Sequence, residues 1–261
     1  MGRRETIVRV SCVTLLACIF FVAASAGADM AITFLDVGEG DAIHIGLSSG
    51  EHLLIDTGNV ITGHRVVRFL QEQGVTKLTA LIITHPHPDH MGGVFTVLDR
   101  FPVERVYDNG QALPGIKGED LFRWYDEAVR DRDDYGVLKA GERLRFGEAT
   151  VDVLWPITPA SVNWNHNSLV LRLSNGHQAV LLMGDAGETV EAQLLSSGID
   201  LKTSVLKVGH HGYRDATGDL FLEQVSPRCA VISVNDKNLR GYPSAEVLDR
   251  LRGHKVETLL T

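Results

Sequence analysis

Cysteine is nearly absent from this chain. Only three occur in 261 residues, and two of them, Cys12 and Cys18, sit inside an apolar N-terminal run. A disulfide scaffold is therefore excluded, and stability must come from a packed core and any bound metal. Concentrated charge is also missing: 25 Lys+Arg stand against 33 Asp+Glu, with no run long enough to form a tail. The formal net charge of −8 argues against holding DNA by a broad basic surface. No low-complexity segment, collagen-like repeat or interdomain linker interrupts the sequence. What remains, 44% hydrophobic and 22% charged residues, is the mix of a globular protein. Gly38-x-Gly40 reads as a turn and not as a dinucleotide fingerprint, because no suitable βαβ spacing follows, so no nucleotide cofactor is expected.

The N-terminus has its own logic. Arg3, Arg4 and Arg9 flank an apolar run from Val10 to Ala24, which ends in the small-residue site Ala24-Ser25-Ala26. Basic, apolar and small segments in that order predict a secretory signal over 1–26 and a periplasmic or extracellular mature protein. The alternative is an N-terminal membrane anchor, although a run of about 15 residues is short for a span needing about 20. Removing 1–26 leaves 22 basic and 32 acidic residues, a net charge of −10, and Cys229 as the remaining cysteine. Its neighbours Ala230-Val231-Ile232 place it in a buried strand.

From Gly27 to Thr261 the chain reads as one domain in which short β-branched runs alternate with amphipathic stretches. Strands are predicted at Ala31–Val37, Ala42–Leu47, Leu53–Asp56, Leu78–Thr84, Thr150–Trp155, Ser168–Leu173, Gln178–Met183, Thr203–Val208 and Cys229–Val234. Helices are predicted near Val66–Gln71, Phe95–Phe101, Asp120–Asp131, Glu188–Ser197, Asp219–Gln224 and Ala245–Arg252. Hairpin-like strands come first, helix and strand then alternate, and the pattern recurs in the second half. That order predicts an α/β protein of two sheets with helices outside. Asn109–Glu119, with Gly110, Pro114, Gly115 and Gly118, reads as a loop near an active-site mouth.

Chemistry concentrates at three strand ends. Leu81-Ile82-Ile83-Thr84 runs into His85-Pro86-His87-Pro88-Asp89-His90, which places four metal-ligand candidates in six residues. The prolines hold the segment extended, so His85 and His87 can serve one ion while Asp89 and His90 turn toward a second. Imidazole and carboxylate together suit Zn²⁺ or Mn²⁺ better than Ca²⁺. The apolar run ending in Gly184-Asp185 delivers a carboxylate, which alone reads equally well as a helix cap. Leu206-Lys207-Val208-Gly209 delivers His210 and His211. Two carboxylates and five histidines suit a two-metal centre with Asp185 bridging. His44 is expected on a strand face, and His52, His64, His177 and His254 are expected at the surface.

These segments, with Phe34–Asp41, Leu54–Gly58 and Asn165–Leu173, resemble the metallo-β-lactamase fold superfamily, whose first signature is the His-x-His-x-Asp-His run. The narrower resemblance is to the ComEC-like branch, the hydrolase-like domain of DNA-uptake proteins. It implies a four-layer αββα sandwich with metals at one edge between the sheets. Carried over residue by residue, His85 and His87 bind one metal, Asp89 and His90 the other, Asp185 bridges, and His211 is the last histidine ligand. His210 is then left to bind a phosphate or protonate a leaving group. Asp56 stands behind a histidine ligand, and Asp36 and Asp41 either do the same or stabilise loops. Where many members carry a third histidine for the first metal, this chain has Asn165-His166-Asn167, so either Asn165 or His166 completes that shell, or water does. Tyr213 stands where the family commonly has serine, and Tyr242 where a histidine is usual. Relatives also continue through a further short strand, so a truncated C-terminal edge is expected.

Joined to the export predicted from the N-terminus, the resemblance implies a hydrolase using two divalent ions, Zn²⁺ or Mn²⁺. Asp89 and His210 would be catalytic, and a metal-activated hydroxide would attack phosphodiesters, DNA included. Membrane DNA-uptake machinery is the implied partner. The alternatives are a β-lactam, lactone or cell-surface phosphoester substrate, or a non-catalytic metal-bound accessory of DNA uptake.

Overall fold

The described residues build two sheets of seven strands by one recipe. In the first, β1 (Cys18–Phe21), β2 (Met30–Phe34), β3 (Ile43–Leu47) and β4 (His52–Ile55) are antiparallel neighbours. They continue in parallel through β5 (Ala80–Ile82), β6 (Val106–Asp108) and β7 (Tyr135–Val137). In the second, β8 (Arg143–Phe146), β9 (Ala149–Trp155), β10 (Val170–Asn175) and β11 (Gln178–Leu182) are antiparallel. The parallel strands β12 (Val205–Lys207), β13 (Cys229–Ile232) and β14 (Glu257–Leu260) follow. This computed structural model describes residues 18–21, 30–113, 120–176, 178–235, 237 and 240–261. The predicted leader lies outside them except for β1, and no helix among the described residues is long and apolar enough to cross a membrane.

Connection type follows strand direction. Antiparallel neighbours can be joined by tight turns, whereas parallel neighbours need crossovers, usually helical. Helix α1 (Gly63–Glu72) links β4 to β5, and α2 (Pro88–Met91) and α3 (Val94–Arg100) link β5 to β6. α4 (Asp120–Tyr125), continued by a π-turn over Asp126–Arg130, precedes β7. α5 (Glu188–Ser196), α6 (Asp219–Val225) and α7 (Ala245–Gly253) serve the second sheet in the same way.

Side-chain alternation at period two sorts the core into layers. Leu53 and Ile55 of β4 meet Val180 and Leu182 of β11 in a central cluster between the sheets. Leu54 between them faces outward, with Val66 and Leu70 of α1 and Val94 and Val97 of α3. Leu181, Leu206, Ala230 and Ile232 face the other way, against Val190 and Leu194 of α5, Phe221 of α6 and Val247 of α7. The result is the expected αββα sandwich. Cys229 is buried in β13.

Several boundaries differ from expectation. The predicted strand Leu78–Thr84 is regular only over Ala80–Ile82, with a single bridge from Leu78 to Val103. The predicted helix Asp120–Asp131 changes to the π-turn after Tyr125, where Tyr125 and Arg130 both reach the buried carboxylate of Asp108. Strands β1, β6, β7, β8 and β14 were not anticipated, being three or four residues long, and β1 falls inside the segment read as a leader.

Two glycines allow close approaches that shape the functional edge. A Cβ on Gly40, at φ +111, would lie 2.0 Å from the Asp89 carbonyl oxygen. A Cβ on Gly209 would lie 2.0 Å from the Ala186 carbonyl oxygen, so only glycine lets that turn pack beside the loop carrying Asp185.

Candidate metal centre

The ligand candidates all leave the carboxyl ends of strands at one edge of the sandwich. Asp56 follows β4, the segment 84–90 follows β5, Asp185 follows β11, and His210 and His211 follow β12. Hydrogen bonds lock these segments together across the two sheets. Leu169 N–H donates to the Thr84 carbonyl, Asp185 N–H to Ser168 Oγ, and His210 N–H to the Gly184 carbonyl.

Asp185 is the hub. Its Oδ2 lies 3.6 Å from His85 Nε2, and its Oδ1 lies 3.2 Å from His90 Nε2 and 3.4 Å from His211 Nε2. His211 Nε2 is also 3.7 Å from Asp89 Oδ2. Among the described residues, ligand atoms converge in three groups sharing His90: His85, His90 and Asp185; Asp89, His90 and His211; and, behind them, Asp41, Asp56 and His90. His87 adjoins the first, its Nδ1 2.9 Å from His85 Nε2. The buried atoms His90 Nε2, His211 Nε2 and Asp185 Oδ1 have no hydrogen-bond partner. Orphaned buried polar atoms are costly and rare, and these three are borderline-soft nitrogen and oxygen donors aimed at one another. That arrangement fits a divalent transition-type cation.

The electrostatics agree. Burial and neighbouring His90 push His85 well below the ordinary histidine value. Burial opposes charge on His90 too, but Asp185 and Asp56 outweigh it and hold His90 well above that value. Burial would raise Asp185, yet His90 and His211 bring it well below the usual carboxylate range.

Support comes from behind. Asp56 accepts hydrogen bonds on Oδ1 from Thr84 N–H (2.7 Å) and on Oδ2 from Thr84 Oγ1 (2.8 Å), and its Oδ2 is 2.9 Å from His90 Nδ1. This fixes which His90 nitrogen faces the cluster. His211 Nδ1 is oriented likewise, 3.0 Å from the Ser233 carbonyl. Replacing Asp56 by Asn is expected to weaken metal affinity 10- to 100-fold, the usual size of such support, measured by competition with a chelating dye.

The two neighbouring histidines part company because both adopt left-handed backbone, at φ 47 for His210 and φ 52 for His211. Histidine is enriched there among non-glycine residues, but two in succession is strain of the kind concentrated at functional sites. His211 turns into the cluster while His210 turns outward, its Nε2 3.1 Å from the Asn165 side-chain amide and its Nδ1 3.5 Å from Asp215 Oδ1. Burial lowers His210, but Asp215 and Asp185 outweigh it and raise its pKa.

Of the alternatives Asn165 and His166, Asn165 contacts the site through His210, its Nδ2 3.1 Å from His210 Nε2. Its buried Oδ1 has no hydrogen-bond partner. His166 instead keeps both ring nitrogens within its own loop, near Ser161 Oγ and Asn163 Nδ2. Asp36 also stands apart from the cluster. Its Oδ1 caps Gly38 N–H and meets Arg65 at the surface, so it closes its own turn instead of orienting a ligand. Asp41, by contrast, is a further buried carboxylate near His90, paired at 2.8 Å with the fully buried Lys207. Lys207 was missed because a lone lysine in an apolar strand gives no local sign of its partner.

The remaining histidines divide. His64 is exposed, as expected, and His177 lies outside the described residues. His44 is buried, stacked on His52 with their ring nitrogens 3.1 Å apart, and burial lowers its pKa to about 4. His52 and His254 are only partly exposed, His254 bonding Asp219. Of the predicted mouth loop, 114–119 lies outside the described residues. Asn109 and Gln111 are buried against Asn167, which steadies the loop carrying Asn165.

Aromatic rings flank the ligands at both ends. Trp164 stacks on His87 at 5.4 Å and meets Phe122 edge-on. At the other end Tyr242 lies near-parallel to His211 at 6.4 Å, and Tyr213 lies 5.1 Å from His210.

One buried acid holds the loop beyond His211. Glu191 of α5 accepts N–H bonds from Thr217 and Gly218, yet burial still raises it to about 7. Because the folded value exceeds the ordinary 4.5, its contribution to stability is complete below about pH 4.5 and is lost as pH rises through about 7. The loss amounts to about 3 kcal/mol. Glu191→Gln should flatten this decline between pH 5 and 8, read from denaturant unfolding of both proteins.

The comparisons with known proteins meet this geometry directly. A model of the metallo-beta-lactamase superfamily matches residues 35–234. The chain belongs to that superfamily. It is 30% identical over 251 residues to ComE operon protein 3 of Bacillus subtilis, covering 88% of this chain and 31% of that protein. It is also 30% identical to Competence protein ComA of Neisseria gonorrhoeae, covering 89% of this chain and 31% of that one. The chain thus spans about a third of the length of these curated relatives. Among solved structures, Zn²⁺-bound PqqB from Methylobacterium extorquens aligns with a TM-score of 0.53 at 11% identity, over 84% of this chain and 85% of that one. That likeness shows the fold, which in PqqB holds zinc. The resemblance to competence proteins read from the motifs is matched by the relatives found.

Proposed function

We propose that this superfamily member is an exported metal-dependent phosphodiesterase, acting on DNA or related phosphodiesters in company with membrane DNA-uptake machinery. The observation that carries the reading is the convergence of His85, His90, Asp185 and His211 with buried, unsatisfied ligand atoms, in a chain related to competence proteins. His85, His87 and Asp185, with Asn165 at the edge, would hold one Zn²⁺ or Mn²⁺, and Asp89, His90, Asp185 and His211 a second. Such ions supply Lewis acidity toward a phosphoryl oxygen and lower the pKa of water. Asp185 keeps the three histidines aligned. Asp89, whose side chain is 22% exposed, would accept a hydrogen bond from incoming water and orient it. His210, kept positively charged more readily by Asp215, would donate its proton to the leaving oxygen. Asp56 holds the His90 ring in place.

The test is hydrolysis by the purified chain after chelation and return of Zn²⁺ or Mn²⁺. Bis-p-nitrophenyl phosphate, single- and double-stranded DNA and nitrocefin form the panel, with His87→Ala as control. Metal-restored phosphodiester cleavage, lost in the control, supports the reading. Nitrocefin turnover without phosphodiester cleavage replaces it with lactam hydrolysis.

A further inference from the structure

The rings around the centre are more than packing requires. Trp164 lies outside the His85–His87 end of the ligand row, and Tyr213 and Tyr242 lie outside the His210–His211 end. Tyr213 and Tyr242 meet edge to face at 5.6 Å, and all three rings are only partly buried. An exposed arginine, Arg214, sits over the Tyr213 ring at 5.6 Å, and Arg240 stands beside the same end, paired with Glu39. Aromatic faces with adjacent arginines are how proteins hold unpaired bases while the backbone follows local positive charge.

We propose that Trp164 on one side and the Tyr213–Tyr242 pair on the other form a nucleobase-stacking rim for a single-stranded nucleic acid whose phosphodiester reaches the ligand cluster. The inference rests on the phosphodiesterase reading and narrows its substrate class. Bases in a duplex already stack on each other and cannot offer their faces to these rings, whereas an unpaired strand can. It also fits a chain of net charge −8, because stacking gives affinity that a broad basic surface would otherwise have to supply. Affinity from stacking is comparatively insensitive to salt, so the strand should be retained at ionic strengths that weaken purely ionic binding.

The experiment compares two single-stranded oligonucleotides of equal length and phosphate count, one intact and one abasic throughout. They are offered to the metal-loaded full chain and to its Tyr242→Ala, Tyr242→Phe and Trp164→Ala variants. The wild-type chain is expected to favour the intact strand about tenfold in kcat/KM, mainly through KM. Both alanine variants should shrink that preference, and Tyr242→Phe, which keeps the ring, should retain it. A purely structural role for the rings would instead slow both substrates equally. Equal cleavage of the two strands by the wild-type chain overturns the rim and leaves phosphodiester hydrolysis standing. A preference that survives both alanine variants overturns the assignment to these residues. If neither strand is cut, the phosphodiesterase reading fails, and fluorescence anisotropy with the same two strands decides the rim. Tenfold tighter binding of the intact strand then supports it, and equal binding overturns it.

Discussion

Replacing Asp185 with asparagine is expected to remove bound metal and, if the proposed phosphodiesterase function holds, to lower hydrolysis more than about 100-fold. Residues that merely support a ligand cost 10- to 100-fold when lost, and Asp185 is itself the group on which three histidines converge. Asparagine has nearly the same volume and can still accept a hydrogen bond, so the fold should survive the change. What is lost is the negative charge opposite His90 and His211. Elemental analysis after dialysis reads ion content without relying on any substrate, and initial rates read the consequence. Asp36→Asn is the matched control, because that carboxylate bonds only its own turn and Arg65. It should keep both ions and rate. An Asp185→Asn protein with wild-type ion content would remove Asp185 from the centre.

Much of this centre was legible in the sequence because each ligand leaves a buried strand as part of a contiguous motif. His85 to His90 are set by local chain geometry, with prolines before and inside the turn. The two-sheet architecture was legible for the same reason: β4 and β11 are short continuous apolar runs, the pattern of strands buried on both faces between a helix layer and a second sheet. The short strands were harder. β8 alternates Arg143, Leu144, Arg145 and Phe146, a period-two signal that could have found it, whereas β6 and β7 have three residues each and depend on their neighbours. The division of labour between His210 and His211 depends on two left-handed residues in succession, which no propensity reveals. The contacts of His166 with Ser161 and Asn163 depend on a loop folding back on itself, which the sequence does not signal. Long-range pairing was the least visible of all. Asp41 and Lys207 belong to different sheets, and their contact exists only once both are assembled.

That pair yields the largest stability effect expected of any single substitution outside the ligands. Lys207 is fully buried, donates to the Val208 carbonyl, and meets Asp41 Oδ2 at 2.8 Å. Burial pushes the Asp41 carboxyl up, but Lys207, with smaller help from His90 and His211, outweighs this and holds it below its ordinary value of 3.8. Lys207→Met fills the space and leaves Asp41 as an uncompensated buried charge near Asp56. Breaking such a pair from one side costs about 3–5 kcal/mol. For a domain of this size that is a fall in Tm of roughly 6–20 °C. The sign with pH distinguishes the cause. In the wild-type chain, the stabilising contribution of Asp41 is present above 3.8 and is lost as pH falls through its lower folded value. In Lys207→Met, burial acts without that counter-charge and the folded value moves above 3.8, so stability is instead lost as pH rises. The deficit against wild type should therefore be greater at pH 7 than at pH 4.5. Adding Asp41→Asn removes the stranded charge and should recover more than half of the loss at pH 7, as removal of both partners usually does. Denaturant unfolding of the four proteins at both pH values completes the cycle. A Lys207→Met deficit below about 1 kcal/mol at pH 7, the scale of an exposed pair, would mean that water reaches Asp41 and that its partner does not hold this edge of the centre together.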